Sequence, residues 1–156
     1  MPHAADNPTA VLVVAERAVD PQSLIALMRE RDQADHCQFT LLVPAVAHGL
    51  HRYVDPEDQC CAEAQHTIDI LRLQLERATG DPVETIIGAH EPLATIQDAL
   101  NNGHFDEVIL TSHASRLSRW AHVDLRRKVA DLDRQIRVLS IDADVRARGV
   151  HAPAAA

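Results

Sequence analysis

The sequence predicts an open, five-stranded parallel α/β domain with helices on both faces of its sheet. Two observations carry that expectation. Short apolar runs rich in Val, Ile and Leu recur along the chain, and all but the last are followed by stretches with helical spacing. Two of these runs, "AVLVVA" and "QFTLLVP", are apolar almost throughout, as strands buried on both faces require. Strands alternating with helices imply a parallel sheet covered on both sides, and right-handed crossovers leave few ways to wind it.

The elements follow in order. "AVLVVA" (10–15) is the first strand. "DPQSLIALMRERD" (20–32) is a helix with Asp20 as N-cap, Pro21 at its first position, and Leu24, Leu27 and Met28 as its apolar stripe. "QFTLLVP" (38–44) is the second strand, stopped by Pro44. Residues 45–55 form a connection longer than most. The next helix has Asp55 as cap, Pro56 at its start and acids in its first turn. Its stripe is Cys61, Ala64, Ile68, Leu71 and Leu75, and Gly80 and Pro82 stop it, the glycine in a left-handed cap. "VETIIG" (83–88) is the third strand, "EPLATIQDALNNG" (91–103) a Pro-started, Gly-ended helix, and "FDEVILTS" (105–112) the fourth strand. A helix over 124–133, capped by Asp124, turns Leu125, Val129 and Leu132 inward, and "IRVLSI" (136–141) closes the sheet. Residues 1–9 are expected to be disordered and 143–156 to form a flexible tail around a single domain over 10–142.

Composition narrows the function. A chain of 156 residues is most simply one domain, large enough to bury a core without disulfides or metals. Only 3% of it is aromatic, so that core must be aliphatic. No apolar run approaches the roughly 20 residues that cross a bilayer, and "MPHAADNPTA" lacks the pattern of a signal peptide, so a cytoplasmic protein is expected. A net charge of −8 disfavours nucleic acid as partner. One segment runs the other way. From His113 to Arg137, seven basic residues face only Asp124, Asp131 and Asp133. An odd cysteine count, with Cys60 and Cys61 adjacent, is no disulfide framework; Cys37, Cys60 and Cys61 read as core or boundary residues.

Ligands of open parallel sheets bind at the carboxyl ends of the strands, where the winding reverses. The connections there are 16–20, 45–55, 88–91 and 111–123, and the last contains the basic segment "TSHASRLSRWAHVDLRRKV". Ten histidines raise a metal reading, with His48 and His51 spaced for one helical turn, but no matching Cys or acid cluster has a known ligand spacing. His113, with His90 in a neighbouring connection, is the best-placed candidate base, yet no partner for it can be named. A phosphorylatable receiver is excluded, because the third strand ends in Gly88 and the fifth is followed by Asp142 rather than lysine. No G-x-S-x-G elbow marks a serine hydrolase. No enzymatic activity is expected.

Over residues 10–141 the chain resembles a universal stress protein domain. The features that carry the resemblance are "VVAER", "IIGAHEPLATIQDAL", "FDEVILTSHAS" and "RRKVADLDRQIRVLSI", in that order; "SRWAHVDLRRKV" is similar to a divergent, actinobacterial-looking subgroup. The resemblance implies strand order 3-2-1-4-5 and a homodimer. ATP-binding members carry, after the fourth strand, a glycine, two residues, a glycine, about nine residues, a glycine and Ser or Thr, and those glycines let backbone N–H groups approach phosphate. Here Thr111, Ala114 and Val123 or Asp124 stand at those positions, and Glu16 stands where the family has an aspartate. The expected function is therefore a small stress-associated regulatory protein that dimerises, contacts other proteins and is not a strong ATP binder, with no cofactor. The alternative is a nucleotide or phosphometabolite binder using Glu16, Gly88, Ser112, His113, Ser115, Arg116, Ser118 and Arg119.

Overall fold

A computed structural model describes residues 7–15, 21–45, 56–88, 91–112, 116–133 and 135–142, and of 56–60, 112, 116–123 and 140–142 the backbone alone. The elements are β1 (Thr9–Val14), α1 (Pro21–Ala34), β2 (Cys37–Pro44), α2 (Pro56–Thr79), β3 (Glu84–Gly88), α3 (Pro92–Asn102), β4 (Glu107–Ser112), α4 (Arg116–Leu132) and β5 (Arg137–Asp142). The five strands form one sheet in the order β3-β2-β1-β4-β5, and every pairing is parallel.

Alternation along the central strands fills two cores. Val11 and Val13 of β1 face α1 and α2, where they meet Leu24, Met28, Ile68, Leu71 and Leu75. Leu12 and Val14 face α3 and α4, where they meet Ile96, Ala99 and Val129. β1 is thus apolar from Ala10 to Val14 because both of its faces are covered. Gly80 ends α2 in the left-handed region at φ 85°, and its N–H donates to Glu76 O at 2.9 Å, as expected of a glycine cap. Gly103 ends α3 differently, in extended backbone at φ −142°.

Two inward assignments need correction. Cys61 is exposed rather than part of the α2 stripe, and Leu132 of α4 is 38% exposed. The reason is length. The 24 residues of α2 span about 36 Å, whereas the eight of β2 span about 26 Å. The first turns of α2 therefore run past the strands, and Cys61 there has nothing to pack on; Leu132 stands at the very end of α4, where the helix stops. Cys37 is buried as expected.

The amino edge of the sheet is held by charge. Glu107 begins β4 and is 1% exposed. Its carboxylate accepts from Arg31 Nε at 3.2 Å and from Arg31 Nη2 at 3.1 Å, which brings the last turn of α1 onto the central sheet. Arg137 of β5 approaches it at 4.0 Å. Next to it, Asp106 Oδ2 accepts from Ala10 N at 2.9 Å while Asp106 N donates to Ala10 O at 2.9 Å, so the β1–β4 contact starts before the ladder proper. Removing one member of a buried pair leaves the other uncompensated, at about 3–5 kcal/mol. Arg31→Met is expected to lose about 3 kcal/mol of unfolding free energy in urea, and the double variant Arg31→Met/Glu107→Met to recover most of it. Equal losses in the single and double variants would show that the pair carries no such weight.

Candidate functional site

The winding reverses between β1 and β4. From β1 the chain moves outward through β2 to β3, and then crosses back to place β4 on the other side of β1. The crevice of the fold therefore opens between the carboxyl ends of β1 and β4. Its described walls are Val14, Ala15, Thr111 and the backbone of Ser112.

Thr111 stands beside this crevice, at the carboxyl end of β4. It is 3% exposed, and its hydroxyl donates to Val14 O at 2.9 Å across the two strands. Thr111 occupies the first glycine position of the resemblance. A glycine there has no side chain; the threonine's is buried, and its hydroxyl satisfies the neighbouring carbonyl. One strand further out, Ala15 N donates to Leu42 O at 2.9 Å and Ala45 N to Gly88 O at 2.7 Å.

α4 is the main departure from the sequence reading. Its helix begins at Arg116, not at Asp124, so the connection expected over 111–123 shortens to residues 113–115. Asp124 is no N-cap. It lies within the helix and pairs with Lys128, one turn on, at 2.6 Å. Val123, the other candidate for the third glycine position, also lies inside the helix. The signal for this was present. Leu117, Trp120, Ala121, Leu125 and Val129 recur at helical spacing, and no glycine or proline interrupts residues 113–132. With no glycine or proline from 113 to 132, nothing in this stretch breaks a helix.

The other predicted site residues divide cleanly. Ser112 is the last residue of β4, and Arg116, Ser118 and Arg119 lie in the opening turns of α4, which carries no acid in its first turn. Those four thus share the carboxyl edge by backbone position. Glu16, His90, His113, Ser115, His48 and His51 lie outside the described residues. Gly88 is placed, and its role is packing: a Cβ there would stand 2.1 Å from Thr95 Cγ2 of α3. The glycine lets α3 sit directly on the end of β3.

Beside that contact, a groove of about 400 Å³ runs along the α3 face of β2 and β3, lined by Thr40, Glu84, Ile86, Thr95, Asp98 and Phe105. It exists because β3 is an edge strand, and α3 and α4 are the only helices on this face among the described residues. Cys37 offers no nucleophile, since burial pushes its thiol up to about 11 and it donates to Asp35 O at 2.9 Å.

Two variants test these local assignments. Thr111→Val keeps the volume but leaves Val14 O without its donor, at an expected cost of about 1–2 kcal/mol, read in urea unfolding; a neutral outcome would mean water replaces the hydroxyl. Gly88→Ala is expected to lose about 1–3 kcal/mol by overpacking, and Thr95→Ala in the same chain to restore part of it. Additive losses would show that Gly88 and Thr95 are not in conflict.

No protein-family model matches the chain, and no curated protein does. Solved structures do. Universal stress protein UspA from Lactobacillus plantarum superposes with a TM-score of 0.63 at 20% identity, over 85% of this chain and 97% of that one. The universal stress protein from Archaeoglobus fulgidus in complex with dAMP gives 0.59 at 15% identity, over 87% and 98%. A universal stress protein in complex with cAMP gives 0.58 at 11% identity, over 86% and 97%. The chain has the fold of these proteins almost end to end, in the strand order that the sequence resemblance implied.

Proposed function

We propose, from a fold shared with universal stress proteins, that this chain is a stress-associated regulatory protein of that family that does not depend on strong ATP binding. The observation that supports the second half is Thr111, which stands at the first glycine position of the resemblance and whose buried hydroxyl bonds to Val14 O at 2.9 Å. The continuous helix from Arg116 supports it, since the backbone that would wrap a phosphate is committed to α4. In this reading the protein works as a homodimer through contacts with other proteins, in the cytoplasm. β5 lies at an edge of the sheet, where an unpaired strand can meet another.

A second reading is favoured by one observation. The early start of α4 removes Asp124 from the helix terminus, and no acid stands in the first turn. A helix amino terminus with Arg116 and Arg119 in its opening turns, next to the carboxyl end of β4, is suited to a phosphate. Two of the similar structures hold adenine nucleotides, dAMP and cAMP. The ligand here would be a nucleotide or phosphometabolite held by α4 and its arginines in place of a glycine loop.

Calorimetric titration of the purified chain with ATP and with AMP separates the two. The first reading expects no heat at millimolar nucleotide and a dimer in native mass spectrometry. Micromolar binding that Arg116→Ala or Arg119→Ala abolishes would overturn it in favour of the second.

A further inference from the structure

We propose that Asp32, His36 and Asp81, at the amino edge of the sheet, form a binding site for a divalent transition-metal ion of the zinc class. One ligand atom from each lies within 4.8 Å of the others. His36 Nδ1 is 3.6 Å from Asp32 Oδ1 and 4.0 Å from Asp81 Oδ2. Tetrahedral coordination with bonds of about 2.0–2.2 Å separates ligand atoms by about 3.3–3.6 Å. The His36–Asp32 pair already has that spacing, and Asp81, 4.0 Å from His36 and within 4.8 Å of Asp32, reaches it by a shift of about an ångström or less.

The three groups come from two connections. Asp32 stands in the last turn of α1, and its Oδ1 also accepts from Cys37 N at 3.0 Å, which fixes the carboxylate. His36 lies in the turn into β2. Asp81 follows the left-handed Gly80 and precedes Pro82, a restricted position on the way into β3. An ion here joins the α1–β2 turn to the α2–β3 turn. His36 is 64% and Asp81 49% exposed, so entry is open and water can complete the coordination.

The donor set selects the metal class. One imidazole nitrogen and two carboxylates suit zinc, cobalt or nickel better than magnesium or calcium, which take oxygen ligands. The nearby Cys37 stays out of the set, because its thiol is buried and already donates to a backbone carbonyl. The competing use of the same residues is a surface ion pair between protonated His36 and the two aspartates.

The test is titration of the full chain with zinc chloride in a non-chelating buffer near neutral pH, by calorimetry and by melting temperature. Zinc is expected to bind one to one and to raise the melting temperature by about 5 °C or more at a hundredfold excess over its dissociation constant. Both side chains being exposed, His36→Ala and Asp81→Asn are expected to melt normally without metal and to bind zinc at least about tenfold more weakly. His104→Ala, which touches only the exposed His104–Asp106 pair, is expected to change nothing. Zinc affinity unchanged in His36→Ala would assign the ion to other histidines and overturn the proposal. Absence of binding at millimolar zinc would leave the cluster as an ion pair and overturn it equally.

Discussion

The carboxylate of Glu107 is the interaction on which the arrangement of this fold depends. It sits at the start of β4, almost wholly covered, in a sheet whose buried side chains are mostly apolar. A charge in that place is tolerable only with a partner, and Arg31 supplies two N–H groups from α1. That requirement fixes the last turn of α1 over β4, although α1 and β4 are far apart in the chain. Dispersion and apolar burial hold the layers together, but they are not directional. The Glu107–Arg31 pair and the Asp106–Ala10 backbone contacts specify which strand meets which, and in what register.

The two edges of the sheet have different work. At the amino edge, Asp106, Glu107, Arg31 and Arg137 bind the β1–β4–β5 side together. At the carboxyl edge β3 ends in Gly88, β4 in Thr111 and Ser112, and Ala15 follows β1. Thr111 satisfies Val14 O across the switch point between β1 and β4, and α4 starts four residues beyond Ser112. Thr111 brings a buried side chain to the end of β4, and residues 113–132 carry no glycine or proline that would break a helix.

Periodicity located every strand, because burial on both faces demands short continuous apolar runs and leaves few alternatives for segments such as "AVLVVA". It also located α1, α2 and α3, whose ends are marked by Pro21, Pro56, Gly80, Pro92 and Gly103. It misplaced the start of α4, where Asp124 looked like a cap; an aspartate caps a helix only if the preceding residues are not helical, and here Arg116–Val123 are. Cys61 and Leu132 have the right phase but stand near the start of α2 and at the end of α4, and phase carries no information on where along a helix the packing stops.

By itself the sequence determined the class of fold, the number of its strands and the absence of glycine from residues 113–132, because local patterns encode which residues must be buried and which backbone can bend. Only the tertiary structure decided how these segments meet. That Thr111 bonds across to Val14, that Gly88 is spent on contact with Thr95, that Glu107 faces Arg31, and that Asp32, His36 and Asp81 converge are facts about residues distant in the chain. Such pairings depend on register and crossover geometry, which exist only once the sheet has formed.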